Sequence, residues 1–193
     1  VAENTRAKLQ EFRDTALARG VLLPTEKKWF DAELNGGKAK IKLKGDWTDH
    51  LQGPKWSFRI KDKNNIDGMP LYSLQSPATR NMLAEWVVHQ AYESVGVLTT
   101  EYSFVRGRFN HEFDGVYAKE EHFGLDFTRR RGLPDGPIVK YDEGPLWETR
   151  AIQRTRKTSH PYALAARVEA YDDDYWIEDT TPQRDHAMSQ LFL

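Results

Sequence analysis

Two short stretches in which apolar and polar residues alternate constrain the fold of this chain more than any other feature. Residues Lys40–Lys44 alternate completely, so a strand there places Ile41 and Leu43 on one face. Residues Lys55–Lys61 alternate again. This second stretch puts Trp56, Phe58 and Ile60 on one face and Ser57, Arg59 and Lys61 on the other. The pattern predicts a sheet with an apolar face and a polar face.

The signals around these stretches predict a mainly antiparallel sheet with flanking helices. Asn35-Gly36 separates two extended runs and is a strong hairpin signal. A second hairpin is predicted from Thr99–Phe109 and Val116–Glu121, and a short strand from Leu71–Leu74. Helices are predicted at Glu3–Arg19, at 78–94 with Leu83, Trp86, Val87 and Ala91 buried, at Phe127–Arg131, from Trp147 onward, at Tyr162–Val168 and at Arg184–Leu193. Short strands and helices that do not alternate regularly indicate an α+β fold in one domain, residues 1–193.

Composition and charge exclude several classes of protein. Hydrophobic residues make up 39% of the chain and charged residues 30%, with nine Phe, eight Tyr and six Trp to fill a core. The net charge of −1 provides no global field for nucleic acid, so no nucleic-acid partner is predicted. No apolar run reaches the length of a membrane span. The absence of cysteine excludes disulfides and thiolate chemistry.

Several segments in a fixed order give the chain its resemblance to a known family. A strand ends in Leu43-Lys44-Gly45, a second strand runs over Pro54–Lys61, and a helix begins within Ser76–Leu83. Gly96-Val97 follows, and then the segment Gly115-Val116-Tyr117-Ala118-Lys119-Glu120-Glu121-His122. In this order and spacing, from about Lys40 to Tyr141, the chain resembles the CotH (spore-coat protein H) family of kinase-like proteins.

The resemblance implies a CotH-like atypical protein-kinase fold whose sheet is similar to a kinase N-lobe. It implies binding of ATP with Mg²⁺ or Mn²⁺ and transfer of the γ-phosphoryl group to Ser or Thr of secreted or surface proteins. The phosphate-contacting cation of the family falls on Lys55 or Arg59, and the supporting acidic segment on Glu121 with Tyr117. The location implied is extracellular, cell-surface or periplasmic. The family's catalytic and metal-binding aspartates lie toward its C-terminal part and are expected beyond Leu193, so no catalytic or metal-binding residue is assigned here.

The residues themselves favour part of this assignment. Tyr117, Lys119 and Glu121 share one face of a strand, and a cation near residue 55 is expected to meet the Glu121 carboxylate in one phosphate-sized space. Arg80, in the first turn of a predicted helix, has a planar fork that suits phosphate oxygens.

Three positions depart from the family's pattern. Lys119 stands where relatives usually carry an apolar residue, and Gly124 stands where an acidic residue is frequent. Gly107 interrupts a predicted strand, which costs roughly 0.5–1 kcal/mol.

Plainer interpretations remain open for each feature. Lys55, Arg59 and Lys61 also fit the solvated face of a strand. Asp172–Asp174 fits a solvated acidic loop, and Arg129–Arg131 fits charges that complement a helix dipole. The alternative function is a non-catalytic module for surface attachment or assembly on the same fold.

Overall fold

The computed structural model describes residues 1–65, 68–110, 113–134, 136–156, 167–171 and 176. Within these residues there are four helices: α1 (Glu3–Arg19), α2 (Ala84–Ser94), α3 (Leu125–Arg130) and α4 (Gly144–Arg156). There are eight strands: β1 (Phe30–Leu34), β2 (Gly37–Leu43), β3 (Phe58–Asp62), β4 (Leu71–Gln75), β5 (Tyr102–Phe109), β6 (Phe113–Glu121), β7 (Val139–Asp142) and β8 (Arg167–Ala170). The mixed fold with a large antiparallel sheet confirms the α+β prediction.

Six strands form one antiparallel sheet in the order β1-β2-β3-β4-β6-β5. The first four strands follow one another along the chain, and the β5–β6 hairpin joins the edge through β6. Strands β7 and β8 form a separate antiparallel pair. None of the helices among the described residues has both the length and the apolar composition of a membrane span.

Helix α1 packs on the apolar face of the sheet and closes the main core. Its buried residues Leu9 and Ala16 join one cluster with side chains from the central strands. Those strand residues are Ile41, Leu43, Phe58, Ile60 and Tyr72. The inward positions predicted from the alternating stretches are therefore confirmed for β2 and β3.

Local chemistry sets the predicted turns. Gly20 ends α1 with φ of 87°, a left-handed conformation that glycine adopts without a Cβ penalty. Asn35 and Gly36 both have positive φ, 49° and 82°, as a two-residue hairpin turn with the twist of its strands requires. The predicted helix α1 and both predicted hairpins are confirmed.

The second helix differs from its prediction. A 3₁₀ turn at Pro77–Arg80 is followed by Asn81 and Met82, both in the left-handed region, so the regular helix starts only at Ala84. The stripe predicted to be buried was wrong: Leu83, Trp86, Val87 and Ala91 are all exposed. The physical reason is that α2 turns its polar side toward the sheet.

Smaller differences occur elsewhere. Strand β3 starts at Phe58, because the Ser57 amide donates to the His50 carbonyl before the strand ladder begins. The helix predicted at Tyr162–Val168 was wrong at its end, where residues 167–168 already belong to β8. The rest of that helix, the acidic segment 172–174 and the helix predicted at 184–193 lie outside the described residues.

Candidate functional site

Charged and polar side chains cross the face of the sheet opposite α1. Strand pairing places Lys42 beside Arg59, Arg59 beside Ser73, and Ser73 beside Glu120. These four residues form one row across β2, β3, β4 and β6, with neighbouring strands roughly 4.8 Å apart. The next row contains Gln75, which lies opposite Ala118. We call this surface the polar face and define it by Lys42, Lys44, Arg59, Ser73, Gln75, Glu120 and His122.

One end of the polar face is a hydrogen-bonded ion pair. The Lys44 ammonium donates to Gln75 Oε1 at 2.6 Å and to Glu120 Oε2 at 2.9 Å. Burial opposes ionisation of Glu120, but the charges of Lys44 and Arg59 outweigh burial and lower the pKa of this carboxyl. Burial lowers the pKa of Lys44 as well, and the charge of Glu120 opposes that shift, so each side chain favours the charged form of the other.

A half-buried arginine, Arg59, lies at the centre of the polar face. Arg59 Nη1 donates to His122 Nδ1. Burial and the charge of Arg59 lower the pKa of His122 to about 2, so the imidazole is neutral and accepts this hydrogen bond. No carboxylate among the described residues lies within ion-pair distance of Arg59. Burial lowers the pKa of Arg59, and the charge of Glu120, two strands away in the same row, only partly opposes that shift.

Lys42, beside Arg59 in the strand register, is a second cation on the polar face. Burial, with the charges of Arg59, Lys27 and Lys61, lowers the pKa of Lys42 to about 8. The Lys42 ammonium lies 4.7 Å from the centre of the Trp29 ring and forms no ion pair with a described carboxylate. Since burial and repulsion from neighbouring cations both lower the pKa of Lys42, an anion bound here is expected to raise it.

A hydroxyl group in the same row adds a donor for an anion. Ser73 lies between Arg59 and Glu120 in the strand register and is fully buried. Its Oγ makes no hydrogen bond to any described residue. Such buried polar atoms are rare in folded proteins and frequently mark a place where a water or ligand completes the hydrogen bonding.

A second ion pair, between Arg80 and Glu85, lies at the border of the polar face. Arg80, a predicted phosphate contact, lies with Nε 3.3 Å from Glu85 Oε2 at the start of α2. The Gln75 amide nitrogen lies 3.5 Å from Glu85 and 3.4 Å from Glu120, and so links the two carboxylates. Arg80 and Arg59, two of the predicted site residues, therefore belong to one charged surface.

Lys55 and Tyr117, two further predicted site residues, lie outside the polar face. The Lys55 ammonium donates to the Val116 carbonyl at 2.8 Å and lies 5.7 Å from the centre of the Tyr117 ring. Tyr117 is buried on the apolar face, where burial raises its pKa to about 12. Its ring covers Gly107, where a Cβ would come within 2.6 Å of Tyr117 Cδ2. The glycine that interrupts β5 therefore makes room for this ring.

Glu121 is held by its own cations. Its carboxylate accepts hydrogen bonds from Arg130 Nη1 and Arg131 Nη2, each at 2.6 Å, and from the Glu101 amide at 3.1 Å. Lys55 contacts β6 at Val116, five residues away, which is roughly 16 Å along a strand. The expected convergence of Lys55 and Glu121 on one space is therefore wrong. Arg130 and Arg131 are structural partners of Glu121 rather than helix-dipole charges alone.

Several residues of the polar face escaped the sequence prediction: Lys42, Lys44, Ser73, Gln75, Glu120 and His122. The alternating pattern of β2 already put Lys42 and Lys44 on its outward side. Glu120 was missed because it lies next to Glu121, and a shift of one residue changes the face of the sheet. No group of three metal-ligating side chains occurs in the part of the chain that the structure describes.

No family model, curated protein or solved structure matches the chain. The resemblance to the CotH family therefore depends on the ordered segments of the sequence, and the function that it implies is a proposal.

Proposed function

We propose that this chain is a CotH-like domain that binds ATP and serves transfer of the γ-phosphoryl group to Ser or Thr of secreted or surface proteins. The observation that carries the proposal is the half-buried Arg59 guanidinium, which bonds to a neutral imidazole and has no carboxylate of the described residues within ion-pair distance. A phosphate chain supplies the missing negative charge. The planar fork of arginine suits two phosphate oxygens at once.

The neighbours of Arg59 have complementary roles in this proposal. Lys42 supplies a second cation in the same row, and Ser73 supplies a hydroxyl donor. The Lys44–Glu120 pair resembles the lysine–glutamate ion pair that protein kinases need in place for activity. Phosphoryl transfer requires positioning and charge neutralisation more than covalent work by the protein, and a row of cations fits that requirement.

The polar face offers two carboxylates that could hold a metal ion together with the phosphates of a nucleotide. Glu85 and Glu120, bridged by Gln75, are the carboxylates nearest to the cations. Mg²⁺ in nucleotide sites is held by one or two carboxylates together with phosphates and water, so these two residues are the candidates. Bound Mg²⁺ or Mn²⁺ would neutralise charge on the phosphates during transfer.

Thermal unfolding with ATP and Mg²⁺ or Mn²⁺ tests the proposal. A ligand that binds only the folded protein stabilises it by roughly 2.7 kcal/mol at a hundred times its dissociation constant, which is readily measured. We expect Lys42→Gln to weaken ATP binding by about tenfold or more, because one charge-assisted hydrogen bond is lost. Arg59→Lys keeps the charge but loses the fork, and is expected to weaken binding as well.

Lys55→Gln is the matched control, since Lys55 is a cation that contacts Val116 and the Tyr117 ring and is not one of the residues of the polar face. Its ATP-induced stabilisation should equal that of the wild type. No stabilisation of the wild-type protein by ATP, or an equal loss in Lys42→Gln and Lys55→Gln, would reject a nucleotide site on the polar face. Transfer of labelled γ-phosphate to a protein substrate then tests the kinase step itself.

A second function is favoured by one further observation. Helix α2 and the residues that flank it expose many large apolar side chains, among them Leu83, Val87 and Val95. A large exposed apolar patch is typical of a protein-interaction surface. A non-catalytic module for surface attachment or assembly predicts such a patch and no response to ATP.

A further inference from the structure

A cavity of about 270 Å³ lies on the apolar side of the six-stranded sheet, away from the polar face. All six strands contribute residues to its wall. Strands β1 and β5 are the two edges of the sheet, and in a flat sheet such edges lie roughly 24 Å apart. Since Leu34 of β1 and Val105 of β5 line the same cavity, the sheet curls around it as in a partly closed barrel.

The side chains that face the cavity are mostly apolar. Each strand contributes at least one: Leu34, Ile41, Ile60, Leu74, Val105 and Tyr117. The charged residues that alternate with them, such as Lys40 and Arg106, direct their side chains to the other side of the sheet. A smaller cavity with walls of this kind, about 150 Å³ in volume, stays dry and binds benzene. The wall therefore favours an organic molecule over water.

One lysine brings a positive charge to this apolar wall. Lys119 is 7% exposed and lies beside Leu74 in the strand register, on the same side of the sheet as Tyr117. Its ammonium lies 4.4 Å from the centre of the Tyr72 ring, which also lines the cavity. Lysine is among the residues least often found at this depth. Its presence makes the cavity suited to a ligand with a negative group.

The carboxylate of Asp62 also lines the cavity, but at a different place. Asp62 ends β3 and its Oδ1 accepts a hydrogen bond from the Asn64 amide at 2.9 Å, so this carboxylate holds the turn after the strand. Lys119 lies in the row of Leu74 and Phe58, and Asp62 is four residues beyond Phe58. Four residues span roughly 13 Å along a strand. The charge best placed to recognise a ligand among the apolar side chains is therefore that of Lys119.

We propose that this cavity binds a small organic carboxylate with an apolar body, whose carboxylate pairs with the Lys119 ammonium. By comparison with benzene in a cavity of about 150 Å³, the volume suits a ligand of about ten to twelve non-hydrogen atoms. A carboxylate with a medium-length alkyl chain has this size. Burial of the chain supplies affinity, and the charge-assisted hydrogen bond to Lys119 supplies selectivity. The site is on the opposite side of the sheet from Arg59, so the proposal does not rest on nucleotide binding.

Calorimetric titration with octanoate, octan-1-ol and octylammonium tests the charge preference. The three probes share one alkyl chain and differ in the head group. We expect octanoate to bind the wild-type protein about tenfold or more tightly than octanol, and octylammonium to bind most weakly, because only octanoate gains a charged hydrogen bond. No binding of octanoate, equal binding of octanoate and octanol, or tighter binding of octylammonium would overturn the proposal.

Lys119→Met removes the charge and keeps a side chain of similar length. We expect this variant to bind octanoate about tenfold or more weakly than the wild type, with octanol binding unchanged. Lys61→Met is the matched control, because Lys61 is an exposed residue whose side chain points to the other side of the sheet. Unchanged octanoate binding in Lys119→Met, or an equal loss in both variants, contradicts a carboxylate site at Lys119.

Val105→Trp fills the cavity and leaves the lysine in place. Val105 is half-buried on the edge strand β5, so a larger side chain is accommodated there. This variant should lose the binding of octanoate and octanol alike. Val116→Trp is its control, because Val116 is 51% exposed on the opposite side of the same hairpin and should bind both probes as the wild type does. Octanoate binding that survives Val105→Trp would show that the ligand binds outside this cavity.

Discussion

The two faces of the six-stranded sheet come from the same strands but differ in what they contribute. On the α1 side, Phe58 and Ile60 are buried among apolar side chains, and burial of this kind stabilises the fold. On the other side, Arg59 stands between them in sequence and is half-buried, and removing a cation from water costs stability unless an opposite charge compensates for it. The comparison separates a face that mainly stabilises the fold from a face whose central cation has no ion pair among the described residues, and that cation is the feature on which the binding proposal rests.

The apolar face should be the more sensitive to mutation. Phe58 is 3% exposed and stacks on Phe109 with ring centres 4.9 Å apart. We expect Phe58→Ala to lower the free energy of unfolding by about 3–5 kcal/mol, because a cavity remains where the ring was. Urea unfolding measures this loss. Lys61→Ala, on the opposite side of the same strand, should change it by less than about 0.5 kcal/mol, and an equal loss in both variants would erase the contrast between the faces.

Breaking the Lys44–Glu120 ion pair should lower the free energy of unfolding by less than removing the Phe58 ring from the core. Glu120→Gln removes the charge that neutralises Lys44, and we expect a loss of about 2–3 kcal/mol in the free energy of unfolding. The double variant Lys44→Met, Glu120→Leu should lose less than the sum of its single changes, because it leaves no unpaired charge. Additive losses would show that the two residues do not interact.

Acid should destabilise the protein through two histidines, His122 on the polar face and His50 in the turn Thr48–Leu51. Burial lowers the pKa of His122 to about 2 and that of His50, whose ring bonds to Ser57, to about 3. The unfolded chain takes up protons on these residues below about pH 6.5, whereas the folded protein does not. The stability they support is complete above that pH and is lost as the pH falls toward 2–3.

Between pH 7 and pH 5 we expect each histidine to account for a loss of about 1–2 kcal/mol in the free energy of unfolding. His122→Gln should flatten this dependence, and urea unfolding at the two pH values measures it. A wild-type protein whose stability is equal at pH 7 and pH 5 would contradict neutral, buried histidines.

Local signals allowed the sequence to predict much of the fold. Gly20 and Asn35-Gly36 determine their turns through backbone conformations that few other residues adopt, and alternation separated Ile41 and Leu43 from Lys42. The pattern of α2 correctly marked an apolar stripe. The prediction that this stripe is buried against the sheet was wrong. Amphipathicity shows that an apolar face favours burial, but it does not show which element packs on that face.

The candidate site was less accessible to prediction. Alternation alone put Arg59 on a polar face, but the residues beside it come from strands far apart in the chain. Glu120 reaches the row only because β6 pairs with β4, a non-local pairing that a single sequence does not reveal. Choosing Glu121 instead of Glu120 moved the predicted carboxylate to the other face.

The most direct test of phosphate binding on the polar face is an NMR titration of the protein with ATP and Mg²⁺. The side-chain signals of Arg59 and Lys42 should shift together, and the pKa of Lys42 should rise from about 8 as the phosphates approach it. Shifts confined to Lys55 and Tyr117, with Arg59 and Lys42 unchanged, would contradict a phosphate site on this face.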